Sequence, residues 1–229
     1  MPSSVPAINR NPTTNRRLHP DRAWIRILRV LLGLLTLSAV VWNVYRSANG
    51  LTESTIVQSL SQFTNQANLA FGVSLVIGGL LPRERLPRWW DHLRGGLAFC
   101  MVMTGLIYAL LVAEPGEMLR WDVEWSNLVL HRLTPVAGLL GWLAVTMTVR
   151  GAWGRPLAWL LYPVAYLVYT WVRGGIAGWY PYGFLDPLGD GGWGAVLQTT
   201  SMVFVAFLAV ALVVHVLGNL RVALAHHGR

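Results

Sequence analysis

The sequence predicts an all-α protein: a six-helix transmembrane bundle with both termini on the cytoplasmic side. Three observations carry that reading. The 229 residues are 54% hydrophobic and only 12% charged, about half the share of charge that covers a soluble domain. The apolar residues fall in six long blocks, and about 20 consecutive apolar residues suffice to cross a bilayer. The basic residues gather in alternate connections between the blocks, the pattern that orients membrane proteins.

Residues 1–22 hold Pro2, Pro6, Pro12 and Pro20 among Arg10, Arg16, Arg17 and Arg22, a polar, proline-broken composition that predicts a disordered cytoplasmic tail. The first apolar block, 24–45, is about twice as long as a signal-peptide core and no small-residue cleavage site follows it, so it reads as the first span. The second block covers 61–81, the third 95–113, the fourth 126–149, the fifth 157–172 and the sixth 194–220. The fifth is short, but Trp153 and Trp171 beside it suit an interfacial belt. The membrane domain therefore covers 23–220, and 221–229 is a short cytoplasmic tail.

All eighteen basic residues are arginine, and net charge is +8. The N-terminal tail, the 82–95 and 150–156 connections and the C-terminal tail, with their flanks, hold fourteen arginines against Asp21, Glu84 and Asp91. The opposite set holds Arg46, Arg120, Arg132 and Arg173 against seven acids: Glu53, Glu114, Glu117, Asp122, Glu124, Asp186 and Asp190. An even number of crossings preserves this segregation and five or seven would scramble it, which places the protein in the cell membrane as a multi-pass chain. Arginines between apolar blocks are a topology signal, not the folded basic patch that nucleic-acid binding requires.

Cys100 is the only cysteine, which excludes an intrachain disulfide and cysteine-based structural zinc. His131 and His215, the histidines within the blocks, lie near opposite ends of the bundle and are too far apart to share one haem iron. No nucleotide, zinc-protease or calcium motif is present, so neither metal nor cofactor is expected.

Polar side chains inside spans are costly and mark candidate sites. Ser61, Thr64, Asn65 and Asn68 share one face at helical spacing. They form either an interfacial loop before a late-starting helix or a polar patch within the bundle. Asn127, His131 and Thr134 or Pro135 follow the same spacing in the fourth block, at similar depth. The fifth block brings Tyr162, Tyr166, Tyr169 and Arg173 to that end of the bundle. The aromatic run Gly178-Trp179-Tyr180-Pro181-Tyr182-Gly183-Phe184-Leu185-Asp186 follows, either flat on the membrane surface or folded back as a lid. Arg173 and Asp186 are placed to pair.

These residues carry a resemblance. Phe63-Thr64-Asn65-Gln66-Ala67-Asn68-Leu69, Leu130-His131-Arg132-Leu133-Thr134-Pro135, Tyr162-Pro163 with Tyr166, Tyr169, Arg173 and Gly174, and Trp179-Tyr180-Pro181-Tyr182 through Asp186 resemble a six-span family. That family is related to the androgen-induced and androgen-dependent TFPI-regulating membrane proteins, and this chain resembles a bacterial branch of it over about 24–220. The resemblance implies a threonine hydrolase acting on fatty-acid esters of hydroxy fatty acids, with Thr64 and His131 at the catalytic positions. It also implies an acid before the tryptophan of the fourth span, where this chain has Gly141 before Trp142.

A threonine hydroxyl is a weak nucleophile until a base takes its proton, and His131 is the available base at that depth. Oxyanion donors would come from Asn65, Asn68 or Asn127, and Arg173, Tyr182 and Asp186 complete the candidate substrate-binding set. The expected partners are membrane lipids and a lipid-ester substrate. The alternative is a non-enzymatic protein that binds a lipid or small ligand in the same pocket. A transporter would be expected to show internal repeats and a midplane site, and neither is visible.

Overall fold

The computed structural model describes residues 22–144 and 151–227. The tail expected at 1–22 (save Arg22), the end of the fourth block at 145–149 and residues 228–229 lie outside the described residues. Among the described residues every regular element is helical. The helices are α1 (Ala23–Ala48), α2 (Ile56–Ser61), α3 (Phe63–Leu80), α4 (Trp90–Ile107), α5 (Trp125–Leu128), α6 (Thr134–Ala144), α7 (Arg155–Ala177) and α8 (Gly192–His227). Five-residue π-helical segments extend α4 at Tyr108–Val112 and join α5 to α6 at Val129–Leu133.

Three helices, Ala23–Ala48, Trp90–Val112 and Gly192–Leu224, are long and apolar enough to cross a membrane. At 1.5 Å per residue they reach about 35 to 50 Å. Many large apolar side chains along them remain exposed, among them Leu31, Leu34, Val205 and Val213, as a lipid-facing surface requires.

The second apolar block differs from its expected form. Ser61 does not share the α3 face, because Gln62 is extended (φ −73°, ψ 133°) and separates α2 from α3. A capping box closes α2: the Gln58 N–H donates to the Thr55 hydroxyl, and the Thr55 N–H donates to Gln58 Oε1, satisfying donors that a helix start leaves orphaned. Thr64, Asn65 and Asn68 are nonetheless buried, so this is a polar patch within the bundle. The fifth block lengthens in both directions, with Pro156 in the first turn of α7 and Gly178 (φ 63°) ending it in the left-handed region.

Helix α4 is the hub, packed against α3, α6, α7 and α8. Its Phe99, Met101 and Met103 are fully buried and meet Phe63, Phe71, Trp142, Trp159 and Phe207 in one core cluster. Helix α1 packs on α3, where Arg26 donates to the Gly79 and Leu80 carbonyls (2.8 and 2.6 Å) and Arg29 to the Gly78 carbonyl (3.1 Å). Those carbonyls end α3 and would otherwise lack donors; cations there also complement the helix dipole.

Candidate functional site

The break at Gln62 starts α3 inside the protein, and its first amides need partners from elsewhere. The Phe63 N–H donates to the Tyr166 hydroxyl (3.0 Å), which itself donates to the Ser61 carbonyl (3.0 Å). The Thr64 N–H approaches the Tyr182 hydroxyl at 3.4 Å, and the Thr64 and Tyr182 hydroxyls lie 3.5 Å apart. Two tyrosines thus stand where an N-cap side chain would, one from α7 and one from the aromatic loop.

That loop folds back over the bundle. A Cβ on Gly174 would lie 2.1 Å from the Tyr180 ring, so the loop seats where α7 has no side chain. Tyr182 stacks on Phe184 (5.4 Å). Pro181, Tyr182, Phe184 and Leu185 then roof a cavity of about 290 Å³ whose walls include Thr64, Thr104, Tyr108, His131, Tyr166, Thr200 and Phe207.

His131 enters this cavity from the π-helical segment Val129–Leu133. A π segment adds a residue to the turn and commonly occurs at functional sites. Here it faces the second one, with the His131 ring stacked on Tyr108 at 3.7 Å between centroids. The Tyr108 hydroxyl donates to Glu117, and the Asn127 amide donates to both Tyr108 and Glu117, which fixes the ring that orients the imidazole. His131 Nδ1 and Thr200 Oγ1 are buried and make no hydrogen bond, leaving polar capacity on the cavity wall.

Thr64, His131 and Tyr182 therefore meet on one cavity, although no hydrogen bond joins Thr64 to His131. The other candidate residues lie off its lining. Asn65 donates to Ser59 and Gln62 and accepts from Asn43 of α1. Asn68 donates to the Thr64 and Leu130 carbonyls and accepts from Thr134. Both amides tie helices together. Arg173 sits over the Trp179 ring (5.0 Å), and Asp186 Oδ1 accepts from the Leu188 N–H (2.8 Å), so the expected Arg173–Asp186 pair is not formed.

Sequence reasoning placed Tyr108, Thr104 and Thr200 in no site. They lie within apolar stretches, and only packing reveals which face reaches the cavity. Tyr166 had a signal, its i, i+4 spacing from Tyr162. Compared with protein-family models, curated proteins and solved structures, the chain shows no match.

Proposed function

We propose that this is a six-span membrane protein of the family it resembles, with both termini cytoplasmic and an intramembrane threonine–histidine site that hydrolyses fatty-acyl esters. The observation that supports this most is the shared cavity: Thr64 and His131, distant in sequence, line one apolar space beneath the aromatic loop. In that proposal the six spans would be α1, α3, α4 with its π extension, the segment from α5 through α6 within the fourth apolar block, α7 and α8.

In this reading an acyl chain lies against Phe204, Phe207 and Leu167, with its ester at Thr64. As Thr64 Oγ attacks the carbonyl carbon, its proton passes to His131; geometry of this kind commonly tightens only when substrate binds. The Tyr182 hydroxyl beside Thr64 and the positive end of the α3 dipole stabilise the oxyanion, the role proposed from sequence for the asparagines. The bond to the leaving oxygen then breaks, and His131 returns the proton to that alkoxide. Water, deprotonated by His131, releases the fatty acid and restores Thr64.

The test is hydrolysis of a long-chain fatty-acyl ester of a hydroxy fatty acid by purified protein. Thr64→Ala and His131→Ala are expected to lower turnover at least about a hundredfold without lowering the yield of folded protein. Full activity in both variants removes the assignment. The second reading, a non-enzymatic lipid- or ligand-binding protein, is favoured by one feature: the Thr64 hydroxyl meets Tyr182 and not His131. It predicts saturable binding without turnover, tolerant of Thr64→Ser and His131→Asn.

A further inference from the structure

Most polar side chains on the wall of the cavity beneath the aromatic loop have a partner within the protein, as buried polar groups usually do. Gln62 Oε1 accepts from the Asn65 amide, and the Thr104 hydroxyl donates to the Cys100 carbonyl. The Tyr108 hydroxyl is engaged by Glu117, Tyr166 donates to the Ser61 carbonyl, and Thr64 and Tyr182 face each other. Two wall groups are left over: His131 Nδ1, the base of the proposed reaction, and the Thr200 hydroxyl.

Thr200 stands out on its own helix. A hydroxyl inside a helix can fall back on the carbonyl four residues earlier, as Thr36, Thr104, Thr134 and Ser201 do here at 2.7 to 3.1 Å. The Thr200 hydroxyl makes no such bond and is also shut off from water. Thr200, Val203, Phe204 and Phe207 have the i, i+3, i+4, i+7 spacing of one helix face, and all four line the cavity. An unpaired hydroxyl thus heads an otherwise apolar strip of α8.

Among the described residues, no Arg, Asp or Glu lines this cavity. Glu117, behind Tyr108, is taken up by that hydroxyl and by the Asn127 amide. An ionised head placed inside would lose its water and gain no counterion, which is costly. Apolar walls with a spare hydroxyl instead complement a hydrocarbon chain bearing a neutral oxygen. The space, about 290 Å³, lies at the lower end for ligand pockets and suits one chain.

We propose that Thr200 is a ligand-recognition residue, its hydroxyl donating to an oxygen of an uncharged, single-chain lipid held against Val203, Phe204 and Phe207. Any ionised end of a longer lipid lies outside the cavity. This recognition rests on the cavity holding an acyl lipid, as proposed above, and needs no turnover there.

Tritiated tetradecanol, which has no ester to hydrolyse, reports binding to full-length protein in neutral detergent by scintillation proximity. Unlabelled tetradecanol or tetradecanoate competes, in mildly alkaline buffer that keeps the carboxylate ionised. The wild type is expected to prefer the alcohol at least about tenfold. Thr200→Val is expected to weaken alcohol binding about fivefold, while the ligand-free variant melts no lower than wild type because the lost hydroxyl had no internal partner. Thr200→Ser keeps the affinity. Ser201→Ala, whose hydroxyl is occupied by the Leu197 carbonyl, leaves it unchanged. Val203→Phe fills the cavity and removes binding, which locates the probe. Equal competition by the two chains, unaltered affinity in Thr200→Val, or undiminished binding in Val203→Phe overturns the role of Thr200 alone, and any hydrolysis at Thr64 stands. A clear fall in the melting temperature of ligand-free Thr200→Val also overturns it, since the hydroxyl would then be holding the fold. So does absence of alcohol binding in the wild type; absence of ester hydrolysis as well would remove the lipid reading beneath it.

Discussion

Where α1 crosses α3, a Cβ on Gly33 would lie 2.8 Å from both the Gly72 carbonyl oxygen and a Val76 methyl, and one on Gly79 would lie 2.7 Å from the Arg26 carbonyl. Glycine lets two backbones approach closely, and close packing is a chief source of helix association in lipid. Gly33→Ala is therefore expected to cost about 1–3 kcal/mol, read as a lower melting temperature. Gly175→Ala, with nothing within 4 Å, is expected to be neutral or slightly stabilising because alanine favours the helix. Equal melting of the two variants would discard the close contact. These glycines were legible only as members of apolar blocks, because the crossing register decides which residues meet. Thr64 and His131 were more legible: a polar side chain inside an apolar block stands out from the order of residues alone.

Helices were the easiest elements to anticipate, yet their irregularities were not. Nothing local distinguishes Tyr108–Val112 or Val129–Leu133 as π-helical; stacking of Tyr108 on His131 arises between two segments that periodicity treats separately. The connection between them shows what such long-range ties do. Arg132 donates to the carbonyls of Glu117 and Arg120. The Glu117 carboxyl is held below the ordinary glutamate range, chiefly by the hydrogen bond from the Tyr108 hydroxyl and further by the Glu114 N–H, Arg132 and Asn127, against an opposing effect of burial. A folded value below the unfolded one, about 4.3, means the contribution is complete above that value and disappears as pH falls through the folded one. The melting-temperature gap between wild type and Glu117→Gln should therefore be widest near neutrality and close in acid below about pH 4. A gap independent of pH would refute the tie.

For the molecule as a whole, composition alone announced an all-helical chain with membrane-length apolar helices, and that much is observed. Charge segregation predicts more, namely that successive connections alternate sides. In a Cys100→Ala background, Arg88→Cys is expected to react with an impermeant maleimide only after cells are opened, and Leu119→Cys, 85% exposed, in intact cells. Labelling of both from outside would abolish the six-span arrangement. The interruption at Gln62 also bears on biogenesis. The hydroxyls that quiet the Phe63 and Thr64 amides come from tyrosines more than a hundred positions downstream, and hydrocarbon offers no substitute acceptor. On the proposed six-span arrangement, the early helices leave the ribosome well before their partners, and the nascent first half would wait in the insertion machinery. A chain halted after residue 150 should be degraded faster than the complete one in a pulse–chase; matching half-lives would mean the early half matures alone.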